Sequence, residues 1–245
     1  MRTLLATRYI TPLREGGSVP AIVEASDGRL YAMKLSGAGQ GRLALAAELI
    51  VGHLADSLGL RVPERILIDL DSALSRNEPD AEIRDLLRAS VGTNVGLAYL
   101  SGALPFDPAA DRPDGAEASL IVALDSFVMN VDRTPRNPNL LRWHGDLWLI
   151  DHGAALYWHH AGAAPDGAKP FPRIREHVLL PYADSLPAAG ALLRARLTDE
   201  TIARAAALPP DPWLTGPPRA AYIDHLVARR DAIDSLISEA TDARV

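Results

Sequence analysis

Apolar and polar positions along this chain change rhythm twice. Period-two alternation opens it: residues 7–13, 21–25 and 30–35 read as short strands. Asp27-Gly28 is a tight-hairpin signal between the second and third, and Gly16-Gly17-Ser18 breaks the first pair. Helical spacing then takes over at Leu43, Ala46, Ala47, Ile50, Val51 and Leu54, predicting a helix over 42–58 that stops at Gly59. Strands are expected at 65–70 and 96–100, with a short helix over 81–88 in a polar excursion between them. The stretch 105–115, dense in Pro, Asp and Gly, reads as a linker. Beyond it the spacing predicts a buried helix over 116–130, a hairpin over 132–151, and helices over 174–180, 187–197, 199–206 and 219–239. Strands first and helices afterwards predict an α+β chain of two lobes, divided here as residues 1–102 and 103–245.

Composition narrows the class. With 48% hydrophobic and 23% charged residues the chain is an ordinary globular protein. A net charge of -6 argues against nucleic acid as a partner. No apolar run spans a bilayer and the start does not read as a signal peptide, so a cytoplasmic location is expected. The absence of cysteine excludes disulfides, a thiol nucleophile and cysteine-ligated zinc.

The chemistry concentrates in Asn130-Val-Asp-Arg-Thr-Pro-Arg-Asn-Pro-Asn139, followed by the apolar run Leu147-Trp-Leu-Ile150 and then Asp151-His-Gly153. Three of the chain's five asparagines fall in that one decade. Asp132, Asn137 and Asp151 form a hard-oxygen set suited to magnesium, with a carboxylate to orient a hydroxyl, which phosphoryl transfer from ATP requires. Taken singly, Asp-x-x-x-x-Asn also reads as a polar turn and Asp-x-Gly as a strand-end turn. Only Lys34 and Lys169 among 25 basic residues are lysines, and Lys34 lies in an apolar strand, where a compact ammonium suits phosphate oxygens or simply snorkels from a sheet edge. Glu48, in an apolar stretch of the next helix, reads as a partner for it or as a solvated side chain. Gly16, Gly17 and Ser18 precede Lys34 and offer backbone N–H groups to phosphate, or simply a hairpin turn. A competing pattern is Gly37-x-Gly39-x-Gly41 between a strand and a helix, which imitates a dinucleotide-binding loop but is one residue short of its third spacing. The histidines, including the adjacent His159 and His160, lack metal-ligand spacing.

Taken together, Tyr31-Ala-Met-Lys34, Glu48, Leu58-Gly-Leu-Arg-Val-Pro63, Asn130–Asn137 and Ile150-Asp-His-Gly153 resemble the protein-kinase-like fold, most closely the compact HipA-like kinases. Asp132-Arg133 and the His after Asp151 are also similar to type II phosphatidylinositol 4-kinases. The resemblance implies a β-rich N-terminal lobe on the nucleotide-phosphate side and a helical C-terminal lobe carrying the catalytic loop and metal site. It implies ATP and Mg2+ as cofactors and a serine/threonine protein kinase transferring phosphate to an unknown hydroxyl-bearing acceptor. Lys34 would contact phosphates and pair with Glu48, Asp132 would be the catalytic base, and Asn137 and Asp151 would bind magnesium. Adenine would sit against Tyr99 and Leu100, and Ser18 matches a loop serine that some relatives autophosphorylate. The alternatives are a nucleotide-binding pseudokinase or regulatory protein, and a lipid or small-molecule kinase. No Gly-x-Gly-x-x-Gly precedes Lys34. No Ser or Thr lies between Asp151 and Ser185, so activation by serine or threonine phosphorylation of that segment is not expected.

Overall fold

The structure is a computed structural model that describes residues 1–13, 19–39, 41–76 and 78–244. Gly16, Gly17 and Ser18 therefore lie outside the described residues. Two compact units divide the chain: residues 1–45 with 63–101, and residues 46–62 with 102–245. This division differs from a single cut at residue 102, because most of the first helix groups with the second unit. The reason lies in its residues: Ile50, Val51, Leu54, Ala55 and Leu58 belong to the second unit's core.

The first unit is a closed barrel of five strands: β1 (Thr3–Pro12), β2 (Ala21–Ala25), β3 (Leu30–Lys34), β4 (Arg65–Leu70) and β5 (Gly92–Ala98). The order is β1-β2-β3-β5-β4, antiparallel except where β1 meets β4 in parallel. Alternation drives it: on β4, Ile66, Ile68 and Leu70 are buried and their neighbours are not. Gly96 is required opposite them, since a Cβ there would meet Ile68 Cδ1 at 2.3 Å. The Asp27-Gly28 turn forms as expected, with Gly28 at φ 76°.

The β5 strand separates β3 from β4, so the segment from β3 through the first helix to β4 does not join neighbouring parallel strands. The loop between β3 and that helix also has another use for Gly37. Ser36 N–H donates to Asn94 Oδ1 at 2.8 Å, and Gly37 N–H donates to Ser90 Oγ at 3.0 Å. A Cβ on Gly37 would lie 2.7 Å from Ala89 Cβ. Gly37 thus fits the loop onto the end of α2 (Ala81–Ala89), and the dinucleotide reading falls.

In the second unit, α1 (Gly41–Leu58, its residues from Ala46 onward) and the largely buried α3 (Gly115–Phe127) share one core with α4 (Leu186–Arg196), α5 (Asp199–Ala206), α6 (Arg219–Asp231) and α7 (Ile233–Ala243). A three-stranded sheet of β6 (Leu104–Pro105), β7 (Leu140–Trp143) and β8 (Asp146–Leu149) lies in the same unit. The β7–β8 turn, His144-Gly145, has both residues at positive φ, as a two-residue hairpin needs. Two helix expectations need correction. Residues 219–239 form α6 and α7, broken at Ala232, where φ -91° and ψ 11° leave the helical range. Ile237 of α7 then packs on Gly190, where a Cβ would be 2.7 Å away. Residues 174–180 are not a helix: two short 3-10 turns flank an extended His177. His177 Nδ1 takes the Leu179 N–H at 3.0 Å, in place of a helical bond. Among the described residues no helix is long and apolar enough to cross a membrane.

Candidate active site

The loop that carries Asp132 starts from the end of α3. Met129 adopts φ 55°, and the N–H groups of Met129 and Asn130 return to the carbonyls of Ser126 at 3.3 Å and Asp125 at 2.9 Å. This is a Schellman cap with methionine where glycine is usual. Arg229 of α6 completes the cap: Nε donates to Phe127 O at 2.7 Å and Nη2 to Ser126 O at 2.8 Å. Next, Thr134-Pro135-Arg136-Asn137 closes a β-turn with proline at its second position, Asn137 N–H reaching Thr134 O at 3.0 Å.

Three asparagines converge on Asp132. Its N–H donates to Asn130 Oδ1 at 3.1 Å. Its Oδ2 accepts Asn137 Nδ2 at 2.7 Å and Asn139 Nδ2 at 3.1 Å. The asparagine cluster visible in the sequence is thus a cradle for one carboxylate. With its nitrogen on Asp132, Asn137 turns its amide oxygen away from that carboxylate, as an oxygen ligand must.

Beneath the loop lies a buried polar network that sequence reasoning missed. Asp125 in α3 is 0% exposed and accepts Arg133 Nε, His177 Nε2 at 2.9 Å and Asn130 Nδ2 at 3.0 Å. Burial pushes the Asp125 carboxyl up, but the Arg133 charge and the bonds from His177 and Asn130 outweigh it and hold the group well below the usual carboxylate range. Burial dominates at His177 and lowers its pKa despite Asp125. Because Nδ1 accepts from Leu179, the proton sits on Nε2 and neutral His177 is the donor. Arg133 also reaches the carbonyls of Asn139 and Ile150 and, through Nη2, His152 Nδ1 at 3.3 Å. One guanidinium therefore joins the Asp132 loop to the strand end that carries Asp151. The available signal was Asp125 itself, a carboxylate amid the apolar run of a helix.

Asp151 follows β8 at φ 56°, half-buried. Just before it, Ile150 N–H donates to Asn139 O at 3.0 Å, and just after it His152 N–H donates to Glu48 Oε2 at 2.7 Å. Glu48 is only 1% exposed, which rules out a solvated side chain. The second unit thus brings together Asp132, Asn137, Asp151 and Glu48. Lys34, at the end of β3 and buried, belongs to the first unit, as do the exposed Tyr99 and the half-buried Leu100. Among the described residues no cluster of three His, Cys, Asp or Glu could hold a metal by itself. Magnesium asks for less, one or two protein carboxylates or amides with phosphate oxygens and water, and Asp151 with Asn137 fits that donor set.

The family profile that matches is that of the HipA-like kinases, over residues 7–164, more than half of the chain. The chain belongs to the HipA-like kinase family. Solved structures of like fold include the Golgi casein kinase with Mn/ADP bound, with a TM-score of 0.61 at 11% identity over 99% of this chain and 74% of that one. The Helicobacter pylori proinflammatory kinase CtkA gives 0.58 at 13% identity, over 99% of both chains. At such identities they show the fold, which is protein-kinase-like: β-rich at the N-terminus and helical towards the C-terminus. No protein of curated function matches this chain in sequence. Family and fold support a kinase-type phosphotransferase.

Proposed function

We propose that this HipA-like kinase uses ATP and magnesium to phosphorylate a hydroxyl, with a serine or threonine side chain of a protein as acceptor. The observation that carries this reading is Asp132, a carboxylate cradled by Asn130, Asn137 and Asn139 and tied through Arg133 to the strand end bearing Asp151. Asp132 accepts the proton of the attacking hydroxyl, whose oxygen bonds to the γ-phosphorus as the bond to the β,γ-bridging oxygen breaks and ADP leaves. Asn137 and Asp151 hold the cation, which when bound neutralises charge on the phosphate oxygens. Lys34 supplies a further positive charge to the phosphates and pairs with Glu48, and Tyr99 and Leu100 take the adenine. The first unit is accordingly the nucleotide side, and the second carries the catalytic loop. A like-fold kinase solved with Mn/ADP supports a nucleotide and a divalent cation as cofactors here.

The test is incubation with labelled ATP and magnesium, followed by mass spectrometry of the protein and of offered protein acceptors. Label is expected on a serine or threonine, lost in Asp132→Ala and in Asp151→Ala. Full transfer by both variants would sink the assignment. ATP binding without transfer or hydrolysis would instead identify a pseudokinase.

A further inference from the structure

We propose that Asn139 is a positioning residue that selects which oxygen of Asp132 meets the reacting hydroxyl. The inference rests on the phosphotransferase reading above. Both amide donors, Asn137 Nδ2 at 2.7 Å and Asn139 Nδ2 at 3.1 Å, converge on the same atom, Asp132 Oδ2. No donor among the described residues bonds to Oδ1. Two N–H bonds draw charge from Oδ2 and fix the carboxylate's rotation, so Oδ1 is the oxygen that receives the proton.

Asn139 is built for this task. Its backbone is clamped, with the carbonyl accepting Ile150 N–H at 3.0 Å and a bond from Arg133, and its side chain is buried. At φ 49° the residue stands in the left-handed region, where glycine would be easier. Asparagine tolerates that conformation and adds a donor that glycine lacks. Aspartate tolerates it too, but would set a second carboxylate against Asp132. Asn137 is also the proposed cation ligand, so Asn139 is the amide whose side chain, among the described residues, serves Asp132 alone.

Substitution to glycine separates the amide from the backbone, because Asn139→Gly keeps the φ and removes the donor. With ATP and magnesium as the probe, release of phosphate from ATP at saturation is expected to fall about 10- to 100-fold, the loss expected for a hydrogen bond to a charged group. The ATP concentration giving half the maximal rate should change less than about twofold, since the interaction acts on the transition state rather than on nucleotide binding. Asn139→Asp should lose at least as much. Native turnover in Asn139→Gly beside an inactive Asp132→Ala overturns the inference and leaves the kinase reading standing. A raised half-saturation with an unchanged maximal rate also overturns it. Native turnover in Asp132→Ala removes the reading itself. Thermal unfolding of Asn139→Gly close to the native protein excludes a loss through misfolding; Asn139→Asp carries the same test if glycine unfolds it.

Discussion

Arg133 Nε lies 2.5 Å from Asp125 Oδ2, and neither side chain exposes any surface. A buried pair of this kind holds only while both members are present. Removing one leaves an uncompensated charge in the interior, at a cost of about 3–5 kcal/mol. Asp125→Ala or Arg133→Met alone should therefore shift the denaturant midpoint of unfolding strongly, and the double variant Asp125→Leu/Arg133→Met should recover part of the loss. Additive losses in the double variant would show that the two side chains do not act as a pair.

Acid should destabilise the fold from near neutrality. His159 and His225 are buried, and burial lowers their pKa to about 3 and about 4. His160 lowers the first further and Arg229 the second, while the bond of His225 to Pro165 O opposes the shift. Their Nε2 atoms find no partner among the described residues. A histidine held neutral contributes stability that is complete above its unfolded value near 6.5 and declines as pH falls through that value towards its folded one. Each contributes a slope of up to about 1.4 kcal/mol per pH unit in that window. Asp125, depressed by Arg133 and His177, adds a further loss only below about pH 4. Urea melts between pH 7 and 4 should show the slope, and His225→Phe should flatten it; an unchanged slope would remove the histidine explanation.

Two glycines of one loop should behave differently. Gly37 has no room for a Cβ beside Ala89 and Ser90, whereas Gly39 meets nothing within 4 Å and is not held at positive φ. Gly37→Ala should cost roughly 1–3 kcal/mol and Gly39→Ala close to nothing. Neither variant should alter a response to NAD, since none is expected. An NAD-induced rise in melting temperature lost on Gly39→Ala would restore the dinucleotide reading.

Arg229 offers a test of the loop's foundation. It donates to the carbonyls of Ser126 and Phe127, and to those of Gly167 and Lys169 at 3.1 Å each. Burial lowers its pKa to about 10, with the charges of Glu239 and Tyr157 opposing the shift. Lysine cannot reach four carbonyls from one fork. Arg229→Lys should therefore destabilise by at least about 2 kcal/mol, seen as a lower urea midpoint. A midpoint like that of the native protein would show that the cap does not depend on the guanidinium.

Much of this was legible in the sequence because periodicity reports burial. The β2 strand, α5 and most of α1 follow their patterns to within a residue or so, and the crowding of Asn130, Asn137 and Asn139 marked the loop that holds Asp132. Periodicity cannot report what a buried polar group is bonded to. Asp125 sits between Leu124 and Phe127 in a helix read as apolar, and its partners Arg133 and His177 are 8 and 52 residues away. The fate of 174–180 was hidden for a similar reason: a side chain, His177 Nδ1, takes the backbone proton a helix needs. Asn139 was visible as an asparagine, but its left-handed backbone and its bond to Asp132 depend on the β7–β8 hairpin closing behind it.

Glu48 poses the sharpest question about mechanism, because two different roles are available to one buried carboxylate. Its Oε2 accepts the His152 N–H at 2.7 Å, which holds the residue next to Asp151. The proposed pairing with Lys34 needs its charge as well. Glutamine separates the two, since its amide oxygen still accepts an N–H while the negative charge is gone. If anchoring His152 were the whole role, Glu48→Gln would turn over ATP like the native protein and only Glu48→Ala would fail. We expect instead that Glu48→Gln loses at least about tenfold in turnover while its thermal unfolding stays near native. Lys34→Met should lose a similar amount. Combined with Glu48→Gln, it should lose little more than either alone, because two members of one pair are not independent. Full additivity in that cycle would show that Lys34 and Glu48 serve the reaction separately.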